Sequence, residues 1–259
     1  MSYVDLHIHL LPGVDDGAAD EHAALEHARR LACEGVRDVT ATPHINGFFP
    51  LEIASIPQRV EQLAAALAED GIGVRVHTGG ELDARHARSL GDADLETIAQ
   101  GPPGSRWLLV EAPFRGIDEE FAADCDALAA RGFGIVLAHP ERARGAETAR
   151  GHAALRALLE AGALAQVNVC SLLGNNGLTV QETAVSLLRN GLAYVIASDG
   201  HPGTRDHTLA LGFVLAQRAG ASSVQAWRLT QANPRFLLVN GIPPAPSAAT
   251  TAALELALD

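Results

Sequence analysis

The chain has 259 residues, 47% hydrophobic and 19% charged, enough apolar material to bury one large core. A formal net charge of −12 argues against a nucleic-acid backbone as partner, although bound cations would reverse the local sign for a small phosphate substrate. No apolar run approaches the roughly 18 residues of a membrane span, no signal-like segment opens the chain, and 3 scattered cysteines do not form a disulfide framework, so a reducing cytoplasm is expected.

Tyr3–His9 reads as the first strand, and because alternate side chains share a face, His7 and His9 point the same way. Pro12-Gly13 turns the chain, and Asp15-Asp16 follow as carboxylates whose phase on an irregular loop is open. A helix is predicted over Asp20–Glu34, with Ala24, Leu25, Ala28 and Leu31 at helical spacing and Gly35 as its stop. Val36–Ala41 is the second strand and runs into Thr42-Pro43-His44, after which the loop Ile45–Pro50 is a candidate lid. A helix over Ile56–Asp70 leads to a strand at Val74–Thr78 and to Glu81; a strand at Trp107–Val110 ends in Glu111. The helix Asp118–Arg131 precedes the strand Gly134–Ala138, which delivers His139. The helix Ala146–Ala161 precedes the strand Ala165–Val169, and the helix Val180–Arg189 precedes Ala193–Ala197, which delivers Asp199 and His201. Helical stretches at Thr208–Ala219 and Ser222–Ala232 lead to Asn233-Pro234, and residues 242–259 form a Pro- and Ala-rich tail behind a single domain of residues 1–241.

Strand–helix units without an internal linker predict an α/β fold, a closed parallel barrel. In such barrels functional groups gather where strands end, and all the His, Asp and Glu motifs fall there. One HxH is weak evidence for a metal, but several imidazole and carboxylate groups at strand ends suit one shared centre for Mn²⁺, Fe or Zn²⁺.

The motifs DLHIHLLPGVDDGA, ATPH, GGEL, LLVE, LAHPER and ASDGH together resemble the polymerase and histidinol phosphatase (PHP) superfamily over about residues 3–241. Within it the chain looks most like the metal-dependent protein-tyrosine phosphatases of bacterial capsule and exopolysaccharide loci. The resemblance implies a distorted (β/α)7 barrel with three divalent ions, most often manganese, in which His7, His9, Glu81 and Asp199 surround one ion. It implies that Glu81, Glu111 and His139 hold a second ion, with Glu81 as bridge, and that Asp16, His44 and His201 hold a third. The implied substrate is a phosphotyrosine protein, such as the Tyr-rich tail of a bacterial tyrosine kinase; a small phosphomonoester such as histidinol phosphate is the alternative. Metal ions at close spacing lower the pKa of a shared water, and the resulting hydroxide would attack phosphorus in line. Arg142 and Arg205 follow His139 and His201 closely, and their planar forks suit phosphoryl oxygens. Ala143 departs from the branch, where an aromatic residue is common.

Two patterns carry no chemistry. Cys125–Arg131 matches the formula of cysteine-dependent phosphatases, but its intervening residues contain no glycine and read as mid-helix. His22, His27, His86, His152 and His207 read as surface or helix-end residues.

Overall fold

The computed structural model describes residues 2–243. Its strands are β1 (Tyr3–Ile8), β2 (Val36–Ala41), β3 (His44–Ile45), β4 (Arg75–Thr78), β5 (Glu81–Asp83), β6 (Trp107–Glu111), β7 (Gly134–Ala138), β8 (Leu164–Asn168) and β9 (Ala193–Ala197). They pair in parallel, in the order β1-β2-β4 and β3-β5-β6-β7-β8-β9. The second group continues the first, because only Thr42-Pro43 separates β2 from β3 and only Gly79-Gly80 separates β4 from β5. At the other seam, Asp199 N–H donates to His7 O and His9 N–H donates to Gly200 O, each at 2.9 Å, tying β1 to the end of β9. Counting the two interrupted strands once each leaves the seven staves of a distorted (β/α)7 barrel in a single domain.

The helices are α1 (Glu21–Cys33), α2 (Ile56–Glu69), α3 (Asp92–Ile98), α4 (Glu119–Ala130), α5 (Ala149–Glu160), α6 (Val169–Leu173), α7 (Leu178–Arg189), α8 (Leu209–Arg218), α9 (Ser223–Trp227) and α10 (Asn233–Asn240). The longer ones start where capping chemistry puts them: Asp20 accepts from Ala23 N–H and Asp118 from Phe121 N–H, satisfying amides that lack helical partners. In α2 the buried positions Ile56, Val60, Leu63 and Leu67 make one stripe against the barrel. Pro234 opens α10, where a missing N–H costs nothing, after a π-helical turn at Arg228–Ala232. Ile242, where the Pro- and Ala-rich tail begins, donates its N–H to Ser105 O at 2.8 Å and packs over Gly134; the rest of the tail, residues 244–259, lies outside the described residues.

The barrel interior has two layers. Val4, Leu6, Trp107, Leu109, Val136, Ala138 and Val195 form an apolar lower layer, closed from below by Leu237 of α10. Trp107 Nε1–H donates to Leu237 O at 3.2 Å, which satisfies the one polar atom of that indole. Above this plug the inward positions turn polar. Ile8 belongs to the outer core while Val4 and Leu6 belong to the inner one, so the inward face of β1 shifts by one residue. The β1–β2 register is irregular between Asp5 and Ile8, and this shift brings His7 and His9 inward.

Candidate metal centre

His139 and Asp199 are the non-glycine residues with positive φ among the described residues, at 37° and 50°. Each follows a barrel strand, and each left-handed turn redirects a side chain at a cost of about 1–3 kcal/mol. Strain of this kind concentrates at functional sites, and both residues carry metal-ligating groups.

The geometry brings all nine predicted ligands into four overlapping groups: His7, His9 and Glu81; His7, His139 and Asp199; His44, Glu81 and Glu111; and His9, Asp16, His44 and His201. Glu81 stands at the centre. Its Oε1 is 2.8 Å from His139 Nε2, and its Oε2 is 3.0 Å from His44 Nδ1, 3.3 Å from His9 Nε2 and 3.4 Å from His7 Nε2. Asp199 Oδ1 is 3.4 Å from both His7 Nε2 and His9 Nε2.

The tautomers are set from behind. His7 Nδ1 lies 2.9 Å from Gln166 Oε1 and His9 Nδ1 lies 2.7 Å from Asp15 Oδ2. Each of these acceptors takes an Nδ1–H and leaves an Nε2 lone pair for the centre. The Nε2 atoms of His7 and His9 then face each other at 3.3 Å, and Glu81 Oε2 is buried without a hydrogen-bond partner. Neighbouring corners of an octahedral ion with bonds of about 2.0–2.6 Å stand about 2.8–3.7 Å apart. The donors therefore fit a divalent cation in type and in spacing.

Electrostatics agree. Burial alone would raise the Glu81 carboxyl, but the charge of His7 and the His139 hydrogen bond hold it well below its usual range. Burial, together with the Glu81 charge, pushes Glu111 up to about 8. Burial, then the charge of His9, pushes His201 down to about 4. The carboxylates crowd one another, as expected of groups arranged around positive charge.

The two neighbouring aspartates separate by role. Asp16, over half exposed, reaches His201 Nε2 at 3.2 Å and His44 Nε2 at 3.4 Å. Asp15 stays behind His9 and accepts Gly17 N–H at 3.0 Å. A Cβ at Gly17 would run into the carbonyl and side chain of His9, so only glycine lets this loop fold back so closely. Arg142 Nη1 donates to Asp199 Oδ2 at 3.2 Å; Arg205 Nε donates to Asp199 O at 3.1 Å, with its guanidinium against the His201 ring.

Sequence reasoning missed the supports. On β8, Gln166 and Asn168 alternate inward; Gln166 Nε2 donates to Asn168 Oδ1 at 2.6 Å and Asn168 Nδ2 donates to Asp199 Oδ2 at 2.7 Å. Glu141 is also buried, accepts Asn168 N–H at 3.0 Å and is pushed up to about 7 by that burial. The one signal was polar residues at inward parity in an otherwise apolar strand. His27 is a correction: it occupies the buried stripe of α1, 1% exposed, with its Nδ1 3.2 Å from Asp206 Oδ1. Cys125 sits buried in α4, and burial pushes its thiol up to about 12, while Arg131 binds Asp92. No cysteine-based phosphate loop exists there.

Residues 3–238 match the family model described as capsular polysaccharide synthesis, CpsB/CapC. The chain is 31% identical over 243 residues to the tyrosine-protein phosphatase YwqE of Bacillus subtilis, covering 92% of each chain. It is 29% identical over 203 residues to CapC of Staphylococcus aureus, covering 76% of each. Among solved structures it is similar to one from a study of YwqE from Bacillus subtilis and CpsB from Streptococcus pneumoniae, described as unique metal-dependent tyrosine phosphatases. That match has a TM-score of 0.77 at 28% identity and covers 92% of this chain and 94% of the other. A histidinol phosphate phosphatase of Lactococcus lactis shares the fold alone, with a TM-score of 0.54 at 13% identity over 86% of this chain and 95% of the other. The chain belongs to the CpsB/CapC family of capsular polysaccharide synthesis.

Proposed function

We propose that this protein is a metal-dependent protein-tyrosine phosphatase whose centre holds three divalent ions, manganese foremost, with iron or zinc as alternatives. The observation that carries the reading is Glu81 Oε2, buried and without a hydrogen-bond partner among three imidazole nitrogens. The names borne by the relatives supply the substrate class. His7, His9, Glu81 and Asp199 would hold one ion; Glu81, Glu111 and His139 a second; Asp16, His44 and His201 a third. The overlapping groups support Glu81 as the bridge, and they bring His9 within reach of the third set as well.

Divalent ions at such a centre supply an activated water and neutralise phosphoryl oxygens. The chain's own groups do the rest. Gln166 and Asp15 keep the Nδ1 protons of His7 and His9 away from the centre. Arg142 and Arg205, both beside Asp199, orient the phosphoryl group and take up charge growing on its oxygens. A tyrosine phenol has a pKa of about 10, so the leaving group departs without a strong general acid. The partner is a phosphotyrosine protein, and the Tyr-rich tail of a bacterial tyrosine kinase fits the family's setting.

The test is metal content measured together with phosphate release from a phosphotyrosine peptide and from histidinol phosphate, side by side. Release from the peptide with bound metal is expected. Release from histidinol phosphate alone would transfer the assignment to a small-molecule phosphatase.

A further inference from the structure

Beside the cluster, on the side of His44 and Glu111, lies a cavity of about 370 Å³ between two loops. Both loops carry phenylalanines anchored on site imidazoles. The Phe49 ring lies parallel to His44, with centroids 5.5 Å apart and an interplanar angle of 7°. The Phe114 ring lies parallel to His139 at 6.0 Å and 5°, with the Arg142 guanidinium 4.8 Å from its centroid. Asn46 Oδ1 accepts the backbone N–H groups of Phe48 and Phe49 at 2.9 and 3.2 Å, giving the first loop a defined turn.

The stacking accounts for Phe49 and for one face of Phe114. It does not account for Phe48, which is 88% exposed, or for the 51% of Phe114 that is exposed. Both rings line the cavity, and Ala84 and the buried Phe121 line it further in. Arg85 and Arg115 also line it, but their charges are taken by Glu120 and Asp118. Asp83 and Asp124 line it too, but Asp83 accepts the Arg85 and His86 backbone N–H groups and Asp124 pairs with Arg88, so what the cavity offers a ring is aromatic surface.

We propose that this cavity is an aryl subsite, receiving the phenyl ring of phosphotyrosine between Phe48 and Phe114. The inference rests on the phosphatase function proposed above and names the residues that choose its substrate. His44 and Glu111 belong both to the ligand cluster and to the cavity wall, so a phosphoryl group at the cluster directs its ester substituent straight into it. A flat ring gains stacking and burial there; a short polar alkyl chain gains neither. The subsite makes the enzyme selective for aryl over alkyl phosphates.

The experiment compares kcat/KM for a phosphotyrosine peptide and for β-glycerophosphate in wild type, Phe48→Ala, Phe48→Tyr and Phe114→Leu. Metal content and competitive inhibition by inorganic phosphate are measured alongside. Phe48→Ala is the cleanest variant, since the side chain is almost wholly exposed and its loss should not disturb folding. The aryl-to-alkyl ratio should fall about ten-fold in Phe48→Ala, mainly through KM, and be restored by Phe48→Tyr. Phe114→Leu should lower the ratio with metal retained, and the inhibition constant for phosphate should stay within about two-fold of wild type. An unchanged ratio in Phe48→Ala, or equal loss on both substrates, overturns the aryl subsite and leaves the phosphatase assignment standing. A wild-type enzyme that hydrolyses β-glycerophosphate and not the peptide overturns both.

Discussion

Asp15 Oδ2 hydrogen-bonds His9 Nδ1 at 2.7 Å and also accepts the His44 backbone N–H at 3.0 Å. One oxygen thus positions two ligand-bearing segments. Burial would raise this carboxyl, but the His9 hydrogen bond and charge bring it down to about 2. Asp15→Asn should therefore weaken metal affinity about 10–100-fold, read by competition with a chelator. The depressed pKa also sets a pH window: the contribution to stability is complete above the ordinary value of 3.8 and is lost as pH falls toward about 2. In metal-free protein, the stability gap between wild type and Asp15→Asn should be full at neutral pH and close across that window. A gap that persists at pH 2 would contradict the pairing.

Gln166 on β8 performs the same service for His7. Gln166→Leu should cost a similar 10–100-fold in metal affinity, whereas Gln166→Glu keeps an acceptor and should retain most of it. Equal losses in the two variants would mean that packing matters there and the acceptor does not.

Arg142 divides its contacts between Asp199 and the Phe114 face. If it serves the transition state, Arg142→Ala should lower kcat by about 10²–10³ with normal metal content, and Arg142→Lys should recover part of that. A variant that loses metal or thermal stability in proportion to activity would assign the residue to bracing Asp199.

Cys125 should be silent. With its thiol pushed up to about 12, only about one in 10⁴ is ionised at pH 8, too few for alkylation or nucleophilic attack. Cys125→Ser should keep wild-type turnover, and iodoacetamide should label the exposed Cys33 without loss of activity. Inactivation that maps to Cys125 would revive a cysteine mechanism.

The barrel was legible because six of its seven staves lead into a motif: His7 and His9, His44, Glu81, Glu111, His139 and Asp199 all stand where an apolar run stops. Strand parity, however, does not survive to the strand ends. His139 and Asp199 reach the centre through left-handed turns, and His7 through a shift of register, none of which periodicity encodes. The supports were harder to read. Gln166 and Asn168 look like ordinary strand polar residues until the fold places His7 and Asp199 beside them. His27 was misread because its spacing from Ala24 and Leu31 marks a buried stripe, while its residue type suggests a surface. Helices α3 and α6 were missed because 7 and 5 residues are too short for a helical period to show.

The central claim is that turnover of phosphotyrosine depends on metal gathered around Glu81. Its most direct measurement is phosphate release from a phosphotyrosine peptide as manganese is titrated into chelator-stripped wild type and Glu81→Gln. Wild type should be inactive when stripped and recover with more than one equivalent of metal per chain; Glu81→Gln should bind less metal and stay inactive. Full turnover by stripped protein, or full metal content and activity in Glu81→Gln, would contradict the account.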